Sequence, residues 1–229
     1  MQLLTWNVYF GGHMFEERRD ALVMELARRR PEVIALQELT FEHLDALSEL
    51  GYASTVELGD WSSYGVAIYA RVPIAGMREV ALPTEMGRSL VTVELGSGLT
   101  IATTHLESLD EPDRRIEQIE VIQRRLAAKD RVIWCGDFNL LPESPEQSAI
   151  DASWTDAWTA LHPNEPGYTV DTDINTMRYQ IKEKRTQKRI DRVLARGVTV
   201  TSIELVGTKS VDIDGTFVSD HFGLLATIT

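Results

Sequence analysis

The stretch Val132-Ile133-Trp134-Cys135-Gly136-Asp137-Phe138-Asn139 joins an apolar run to two polar side chains. The run is short and begins with β-branched residues, which is typical of a buried strand. Asp137 and Asn139 follow at its end, and a carboxylate buried there is costly unless it is paired or bound to a cation. The stretch therefore predicts a strand that delivers polar side chains to one edge of a sheet.

The same arrangement recurs on both sides of this stretch. Polar residues at the ends or edges of other apolar runs are Asn7, Glu38, His105, Asp191, Asp220 and His221. Taken singly, such residues have structural explanations, because Asn7 could be a turn residue and Glu38 could cap the following helix. Asp137 and Asn139 could likewise form an Asx turn. Taken together, they predict one shared rim of functional side chains.

Apolar runs of strand length predict eight strands, at residues 3–8, 33–36, 65–70, 90–95, 99–104, 131–135, 190–195 and 222–228. Apolar stripes at helical spacing predict helices at 15–29, 41–50 and 112–128. Consecutive strands between residues 52 and 105 break a simple βα alternation. This order favours mixed or antiparallel sheets with helices outside, in a single domain over residues 1–229.

The composition of the 229-residue chain, with 43% hydrophobic and 25% charged residues, is that of a globular protein. Its net charge of −12 argues against extended, non-specific contact with duplex nucleic acid. One basic run, formed by Lys182, Lys184, Arg185, Lys188 and Arg189, is either a solvated loop or a contact for a polyanionic substrate. The single cysteine and the lack of a signal-like start or membrane-length apolar run lead us to expect a monomeric cytoplasmic protein without membrane association.

The residue types at the predicted rim suit a hard divalent cation. Carboxylate and amide oxygens match Mg²⁺, with Mn²⁺ as a substitute. A zinc site would need closely spaced Cys and His, and the sequence has neither a CxxC nor an HExxH motif. The sequence therefore predicts a magnesium site, with histidines nearby that could stabilise phosphoryl charge or move protons.

Five short motifs resemble those of the endonuclease/exonuclease/phosphatase superfamily. In chain order they are Thr5-Trp6-Asn7, Leu36-Gln37-Glu38, Thr104-His105-Leu106-Glu107-Ser108, Gly136-Asp137-Phe138-Asn139 and Ser219-Asp220-His221. Within the superfamily, the tyrosyl-DNA phosphodiesterase 2 family is the most similar, through His105-Leu106-Glu107-Ser108, Tyr168-Thr169-Val170-Asp171-Thr172, Arg189-Ile190-Asp191-Arg192 and Ser219-Asp220-His221-Phe222-Gly223-Leu224-Leu225. This resemblance implies a four-layer α/β sandwich, with two central mixed or antiparallel sheets flanked by helices.

The resemblance also implies how the metal and the water are held. Glu38 would be the main metal ligand, with Asn7 beside it and also in reach of the substrate. Asp220 would be a further candidate for metal and substrate contact. Asp137 would orient and activate the attacking water, and Asn139 would hold the phosphate or that water.

A second group implied by the resemblance would act on the phosphoryl group. His221 would stabilise the pentacovalent transition state, with its tautomer fixed by Asp191 or Asp220. His105 and Ser108 would contact the scissile phosphate.

Three further positions bear on the substrate. Arg88 falls where the family often has a substrate-facing arginine. Val170 stands where the tyrosyl-DNA phosphodiesterase 2 family has a Trp next to its bound DNA end, so Val170 is a substrate-contact candidate. Leu141 stands near the place of a family arginine. Without the aromatic side chain for base stacking and the cation for the backbone, binding of single-stranded DNA is expected to be weaker.

The implied function is Mg²⁺-dependent hydrolysis of a phosphoester at a single-stranded or processed DNA end, in particular a 5′-phosphotyrosyl adduct, as in DNA repair. The same site could act on RNA, on abasic or nicked DNA, or on a small phosphoester such as an inositol phosphate or a phospholipid headgroup. A third hypothesis is an inactive nucleic-acid-binding scaffold. The loops at residues 61–64, 143–148 and 172–189 would select the leaving group.

Other reactive side chains are interpreted as structural. Cys135 lies in an apolar run, which predicts a buried, inert thiol. His13, His43 and His162 have no partner that the sequence identifies, and we expect them on the surface or in loops.

Overall fold

The computed structural model describes residues 1–56 and 64–229, so residues 61–63 of the loop at 61–64 lie outside the described residues. Its strands are β1 (Gln2–Asn7), β2 (Val33–Leu39), β3 (Ala53–Ser54), β4 (Gly65–Ala70), β5 (Ile74–Ala81), β6 (Ser89–Leu95), β7 (Thr100–His105), β8 (Val132–Asp137), β9 (Thr155–Asp156), β10 (Val170–Asp171), β11 (Gln187–Lys188), β12 (Asp191–Arg196), β13 (Val200–Val206) and β14 (Gly223–Ile228). Its α-helices are α1 (Phe15–Arg29), α2 (Phe41–Ser48), α3 (Pro112–Leu126), α4 (Ala157–Leu161) and α5 (Thr176–Lys182).

Two six-stranded sheets form the centre of the fold. The strand order is β13-β14-β1-β2-β4-β3 in the first sheet and β5-β6-β7-β8-β12-β9 in the second. Each sheet contains a parallel pair, β1 with β2 and β7 with β8, and the helices α1 and α3 provide the crossovers that parallel pairs require. The neighbouring pairs are antiparallel, so both sheets are mixed.

Alternating side chains along the strands separate three apolar cores. Leu3 of β1 and Ile133 of β8 belong to the core between the two sheets. Leu4, the next residue of β1, points to the opposite face and packs in a second core with Leu22 of α1. Ile122 of α3 belongs to a third core, on the outer face of the second sheet. Helix, sheet, sheet and helix therefore form four layers, which confirms the expected α/β sandwich.

The predicted strands and helices are all present, with ends shifted by a few residues. The sequence analysis missed two long strands, β5 and β13. Both lie at an edge of a sheet. Most of their residues are exposed or half-buried, so neither strand has the continuous apolar run that revealed the central strands.

Among the described residues, none of the helices has the length and apolar character needed to cross a membrane.

Candidate active site

The directions of the strands explain why the rim residues meet. β1 ends at Asn7, while the parallel strands β7 and β8 end side by side at His105 and Asp137. β12 and β14 run antiparallel to β8 and β1, so they begin where those strands end. As a result Asp191, the first residue of β12, lies opposite Asp137, and His221 lies just before β14.

A glycine allows β7 and β8 to pair up to the rim. Gly136 has a φ of 130°, and a Cβ atom on it would lie 2.0 Å from the carbonyl oxygen of Thr104 on β7. A larger residue fits this backbone only if a strand moves. The place of Asp137 at the rim therefore depends on the glycine before it.

Glu38 reaches the rim through an irregularity in β2. The register of β2 against β4 shifts between Leu36 and Leu39, and Glu38 has a φ of 61°. A left-handed backbone of this kind costs a non-glycine residue about 1–3 kcal/mol, and bulges often re-aim a side chain beside an active site. Here Asn7 Nδ2 donates a hydrogen bond to Glu38 Oε1 at 3.0 Å, which ties Glu38 to the end of β1.

The Asp137 carboxylate is buried and accepts hydrogen bonds on both oxygens. Its Oδ2 accepts from Asn7 Nδ2 at 2.9 Å, and its Oδ1 accepts from the backbone N–H of Asn139 at 2.9 Å. Burial, with the neighbouring Asp191 carboxylate as the second cause, raises the pKa of Asp137 from 3.8 to about 7. A carboxylate with a pKa near neutrality is suited to exchange a proton with water.

His105 is held in a neutral form that donates from Nε2. Arg88 Nη1 lies 2.9 Å from His105 Nδ1, and since a guanidinium only donates, Nδ1 is the acceptor. The ring proton is then on Nε2, which lies 3.4 Å from Asp137 Oδ2. Burial and then the Arg88 charge hold the pKa of His105 well below 6.5.

Arg88 keeps hydrogen-bonding capacity for an anion. Its Nη2 donates to Ser108 Oγ at 3.4 Å, which is a long contact. Its buried Nε has no hydrogen-bond partner among the described residues. Arg88 therefore has an unpaired donor beside His105, where the sequence analysis expected the phosphate, while the Ser108 hydroxyl donates to Met86 Sδ at 3.1 Å.

His221 pairs with Asp191 rather than with Asp220. Its Nδ1 lies 2.8 Å from Asp191 Oδ2, whereas its Nε2 lies 4.0 Å from Asp220 Oδ1. Burial disfavours the charged ring, but the surrounding carboxylates, Asp191 first, outweigh burial and raise the pKa of His221 to about 10. A cationic imidazole in this position can stabilise negative charge that develops on a phosphoryl group.

Glu38 and Asp220 form the acidic side of the site. Burial raises the pKa of Glu38, and the charge of Asp220 raises it further. Carboxylates that oppose each other's ionisation are stabilised by a nearby cation. Asp220 already has one cationic partner, because Arg178 Nη1 on α5 lies 3.0 Å from Asp220 Oδ2.

The donor set fits a divalent cation better at Glu38 than deeper in the site. Asp137, Asp191 and His221 each offer an atom within 4.8 Å of the others. His221, however, is hydrogen-bonded to Asp191 and carries a positive charge, which repels a cation. Glu38 offers a carboxylate, a ligand type that Mg²⁺ prefers, while Asn7 beside it turns its amide nitrogen to Glu38 and accepts from the backbone N–H of Tyr9 with its amide oxygen at 3.0 Å.

The structure does not bring every predicted residue to the rim. Val170 is only 1% exposed in β10, so its side chain offers a ligand almost no surface. In the basic run, Arg189 is paired with Asp156 at 2.9 Å and Arg185 with Asp173 at 2.7 Å. Neither arginine is a free cation facing a substrate.

Three residues around the site were missed by the sequence analysis. Phe10 stacks on Tyr64, with ring centroids 4.4 Å apart, and Arg88 Nη1 donates to the Tyr64 hydroxyl at 3.2 Å. Arg178 lies on α5, a seven-residue helix in a segment that reads as a loop. Phe10 belongs to no motif at a strand end, while Tyr64 and Arg178 lie in the loops at 61–64 and 172–189 that were expected to select the leaving group but were not singled out there.

Two of the structural interpretations can also be compared with the fold. Cys135 is buried, and burial raises the pKa of its thiol to about 12, as expected for an inert cysteine. The expectation for His43 is wrong. His43 is 2% exposed in the first turn of α2, where its Nδ1 accepts from the backbone N–H of Thr40 at 3.2 Å.

Most of the chain, including the strand-end residues of the site, matches a known protein family. The sequence profile of the endonuclease/exonuclease/phosphatase family matches residues 4–221. The chain belongs to that family. Its hydrolases are metal-dependent phosphodiesterases and nucleases, and the chain is an enzyme of this class. The complete set of rim residues also disfavours the inactive scaffold.

Solved structures of family proteins superimpose on nearly the whole chain. TDP2 of D. rerio, in complex with a single-strand DNA product, is 26% identical, with a TM-score of 0.89 over 100% of this chain and 98% of that one. Truncated TDP2 of Caenorhabditis elegans is 23% identical, with a TM-score of 0.83 over 99% and 96% of the two chains. The human Nocturnin catalytic domain with a bound sulfate anion is 23% identical, with a TM-score of 0.74 over 100% and 93%. A search of curated proteins by sequence gave no match.

Proposed function

We propose that this protein hydrolyses a phosphodiester at a DNA end in a Mg²⁺-dependent reaction, and that a 5′-phosphotyrosyl group is the adduct it removes. The observation that carries the proposal is the buried group of Asp137, His105, His221 and Asp191, joined by Asn7 to the Glu38 carboxylate. The similarity to a TDP2 that holds a single-strand DNA product supports the choice of a DNA end.

The residues of the chain divide the reaction between them. Asp137, with a pKa near 7, takes the proton of the attacking water as the water oxygen bonds to phosphorus. The charged His221 and the donors of Arg88 and His105 stabilise the negative charge on the phosphoryl oxygens. The bond from phosphorus to the leaving oxygen then breaks, and the leaving group departs as an alkoxide or phenolate that takes its proton from solvent.

A Mg²⁺ ion, held by Glu38 with Asn7 beside it, would supply Lewis-acid polarisation of the phosphate. Asn7 links the two sides, since its Nδ2 donates to both Glu38 and Asp137. The position of the metal ligand is thereby coupled to the position of the residue that activates water.

The aromatic pair Phe10 and Tyr64 supports an aromatic leaving group. The pair extends from Arg88, on the phosphate side of the site, to Phe10, whose side chain is 44% exposed. An aromatic ring packs favourably on such a surface. The phenol of tyrosine has a pKa of about 10, so it leaves more readily than an alkyl alcohol.

The test is incubation of the purified protein with Mg²⁺ and a single-stranded oligonucleotide that carries a 5′-phosphotyrosyl group. An abasic nicked duplex, an RNA and an inositol phosphate are assayed in parallel, each with EDTA and with the Asp137→Asn variant as controls. Release of tyrosine that EDTA and Asp137→Asn abolish is the expected result. Metal-dependent cleavage of another substrate without tyrosine release would discard the 5′-phosphotyrosyl substrate and keep the chemistry.

A further inference from the structure

A buried carboxylate lies beneath the part of the site where Arg88, His105 and Ser108 are expected to bind the phosphate. Glu107 is 1% exposed and follows His105 by two residues in the chain. Burying a carboxylate is costly unless its hydrogen bonds offset the lost hydration. The partners of Glu107 therefore show what the residue does.

The Glu107 carboxylate accepts three hydrogen bonds. Its Oε2 accepts from Thr84 Oγ1 at 2.6 Å and from Gln118 Nε2 at 3.0 Å. Its Oε1 accepts from the backbone N–H of Glu85 at 2.9 Å. Two of the donors belong to the loop before Arg88 and the third belongs to α3.

Thr84 links the Glu107 carboxylate to the backbone of Arg88. The Thr84 hydroxyl has one proton, which it donates to Glu107, so its lone pairs remain free to accept. They accept from the backbone N–H groups of Met86, at 2.9 Å, and Arg88, at 3.2 Å. The carboxylate thereby orients a hydroxyl, and the hydroxyl fixes the backbone of Arg88.

Gln118 fastens the same loop to α3. Its Nε2 donates to the carbonyl of Pro83 at 2.9 Å, and its Oε1 accepts from the backbone N–H of Glu107 at 2.8 Å. The loop from Pro83 to Arg88 is therefore held at its beginning and its end. Only a carboxylate provides acceptors in both directions, because a glutamine at position 107 has one acceptor oxygen.

We propose that Glu107 is a positioning residue that acts through Thr84 to hold Arg88 against His105 and Ser108. The inference rests on the proposed function, in which Arg88 faces the substrate phosphate. A small displacement of such a group lowers the rate steeply, up to about 100-fold for 1 Å.

The test is a double-mutant cycle measured as kcat/KM for bis(4-nitrophenyl) phosphate with Mg²⁺. Glu107→Gln should lower kcat/KM by about 10- to 100-fold in the wild-type background. In the Arg88→Ala background the same substitution should change kcat/KM by less than about twofold, because the group it positions is gone. Equal losses in both backgrounds would mean that Glu107 acts on stability alone and would overturn the proposal.

Matched variants distinguish the loss of the hydrogen bonds from Glu107 through Thr84 to Arg88 from a general loss of stability. Thr84→Val removes the hydroxyl and should lower kcat/KM as Glu107→Gln does. Thr84→Ser keeps the hydroxyl and should have a kcat/KM close to that of the wild type. Gln123→Ala is the control on α3, since Gln123 bridges the helix to Ala149 and Asp151 on a different loop. A loss in Gln123→Ala as large as in Glu107→Gln would contradict a role specific to Arg88.

Hydrogen exchange of the Arg88 backbone amide gives a readout that needs no activity. Glu107→Gln should reduce its protection, while Gln123→Ala should leave it unchanged. Unchanged protection in Glu107→Gln would overturn the positioning role whatever the activities are. If the wild type hydrolyses no phosphodiester but Glu107→Gln loses this protection, the proposed function fails while the anchoring of Arg88 by Glu107 stands.

Discussion

The two parallel strand pairs face each other across the site and contribute to it differently. β7 and β8 pair in regular register to their last residues, His105 and Asp137, and both side chains are buried in fixed hydrogen bonds. β2, by contrast, pairs regularly with β1 only up to Gln37, and its register against β4 shifts between Leu36 and Leu39, where the side chain of Glu38 is only half-buried. The regular pair fixes the groups that handle protons and phosphoryl charge. The irregular end of β2 offers the carboxylate that the proposed function assigns to the cation.

The largest expected effect comes from removing the charge of Asp137 in the regular pair. Asp137→Asn should lower kcat by about 10²–10³-fold, because an amide cannot take the proton of the attacking water. The substitution is nearly isosteric, so the thermal midpoint should change little. Steady-state kinetics and thermal unfolding check both statements. Unchanged turnover would remove Asp137 from the mechanism.

The corresponding change at the irregular end of β2 is Glu38→Gln, which removes the charge of that carboxylate. It should lower turnover on the order of 10²-fold and abolish the rise in thermal midpoint that Mg²⁺ causes by binding the folded state. Without metal the variant should differ little from the wild type in stability, because relief from burial and from the Asp220 charge offsets the loss of one of the two hydrogen bonds that Glu38 accepts from Asn7 and Phe10. Glu204→Gln, at an exposed acid of β13, is the control. Mg²⁺ stabilisation that survives in Glu38→Gln would place the cation elsewhere.

The third prediction concerns the backbone of the regular pair. Gly136→Ala should destabilise the fold by about 3 kcal/mol or more, since the new Cβ would meet the Thr104 carbonyl on β7. Gly76→Ala is the control, because a Cβ at Gly76 on β5 meets no atom within 4 Å. Urea unfolding of both variants provides the measurement. Equal stabilities would show that β7 and β8 can separate at the rim without loss.

The smallest effect belongs to α2, the helix that follows β2, and depends on pH. Burial lowers the pKa of His43 from 6.5 to about 4. Between these values the unfolded state binds more protons than the folded state, so stability is complete above pH 6.5 and is lost as the pH falls to 4. The loss from this one group is at most about 3 kcal/mol.

His43→Gln isolates that contribution. A glutamine can keep the capping contact that His43 makes with Thr40, but it does not titrate. Urea unfolding between pH 7 and pH 4 should show a shallower decline for the variant than for the wild type. Parallel declines would show that His43 is free to protonate in the folded state.

Most of the fold could be predicted because the central strands are buried on both faces and appear as continuous apolar runs, while the long helices bury one face and show an apolar stripe. The rim could be predicted for a related reason, since polar side chains such as Asn7 and Asp137 are costly at the end of a buried strand unless they share a function. The edge strands β5 and β13 escaped because most of their residues are at least partly exposed.

The remaining features depend on contacts between distant parts of the chain. Two acids were candidates to orient His221, and only the register of β12 against β8 brings Asp191 to its Nδ1. The stack of Phe10 on Tyr64 joins segments from different strands, and His43 is buried by the packing of α2. Neither contact leaves a local pattern, so the sequence alone does not reveal it.

The place of β14 between β13 and β1 has a consequence for how activity is acquired during synthesis. A chain made only as far as β12 already carries Glu38, His105, Asp137 and Asp191, but it lacks His221 and the strand that completes the first sheet. The residue His221 that the proposed mechanism needs and the strand that completes the first sheet are therefore synthesised at nearly the same time. We therefore expect a chain shortened before β14 to lose the closed first sheet and the proposed activity together.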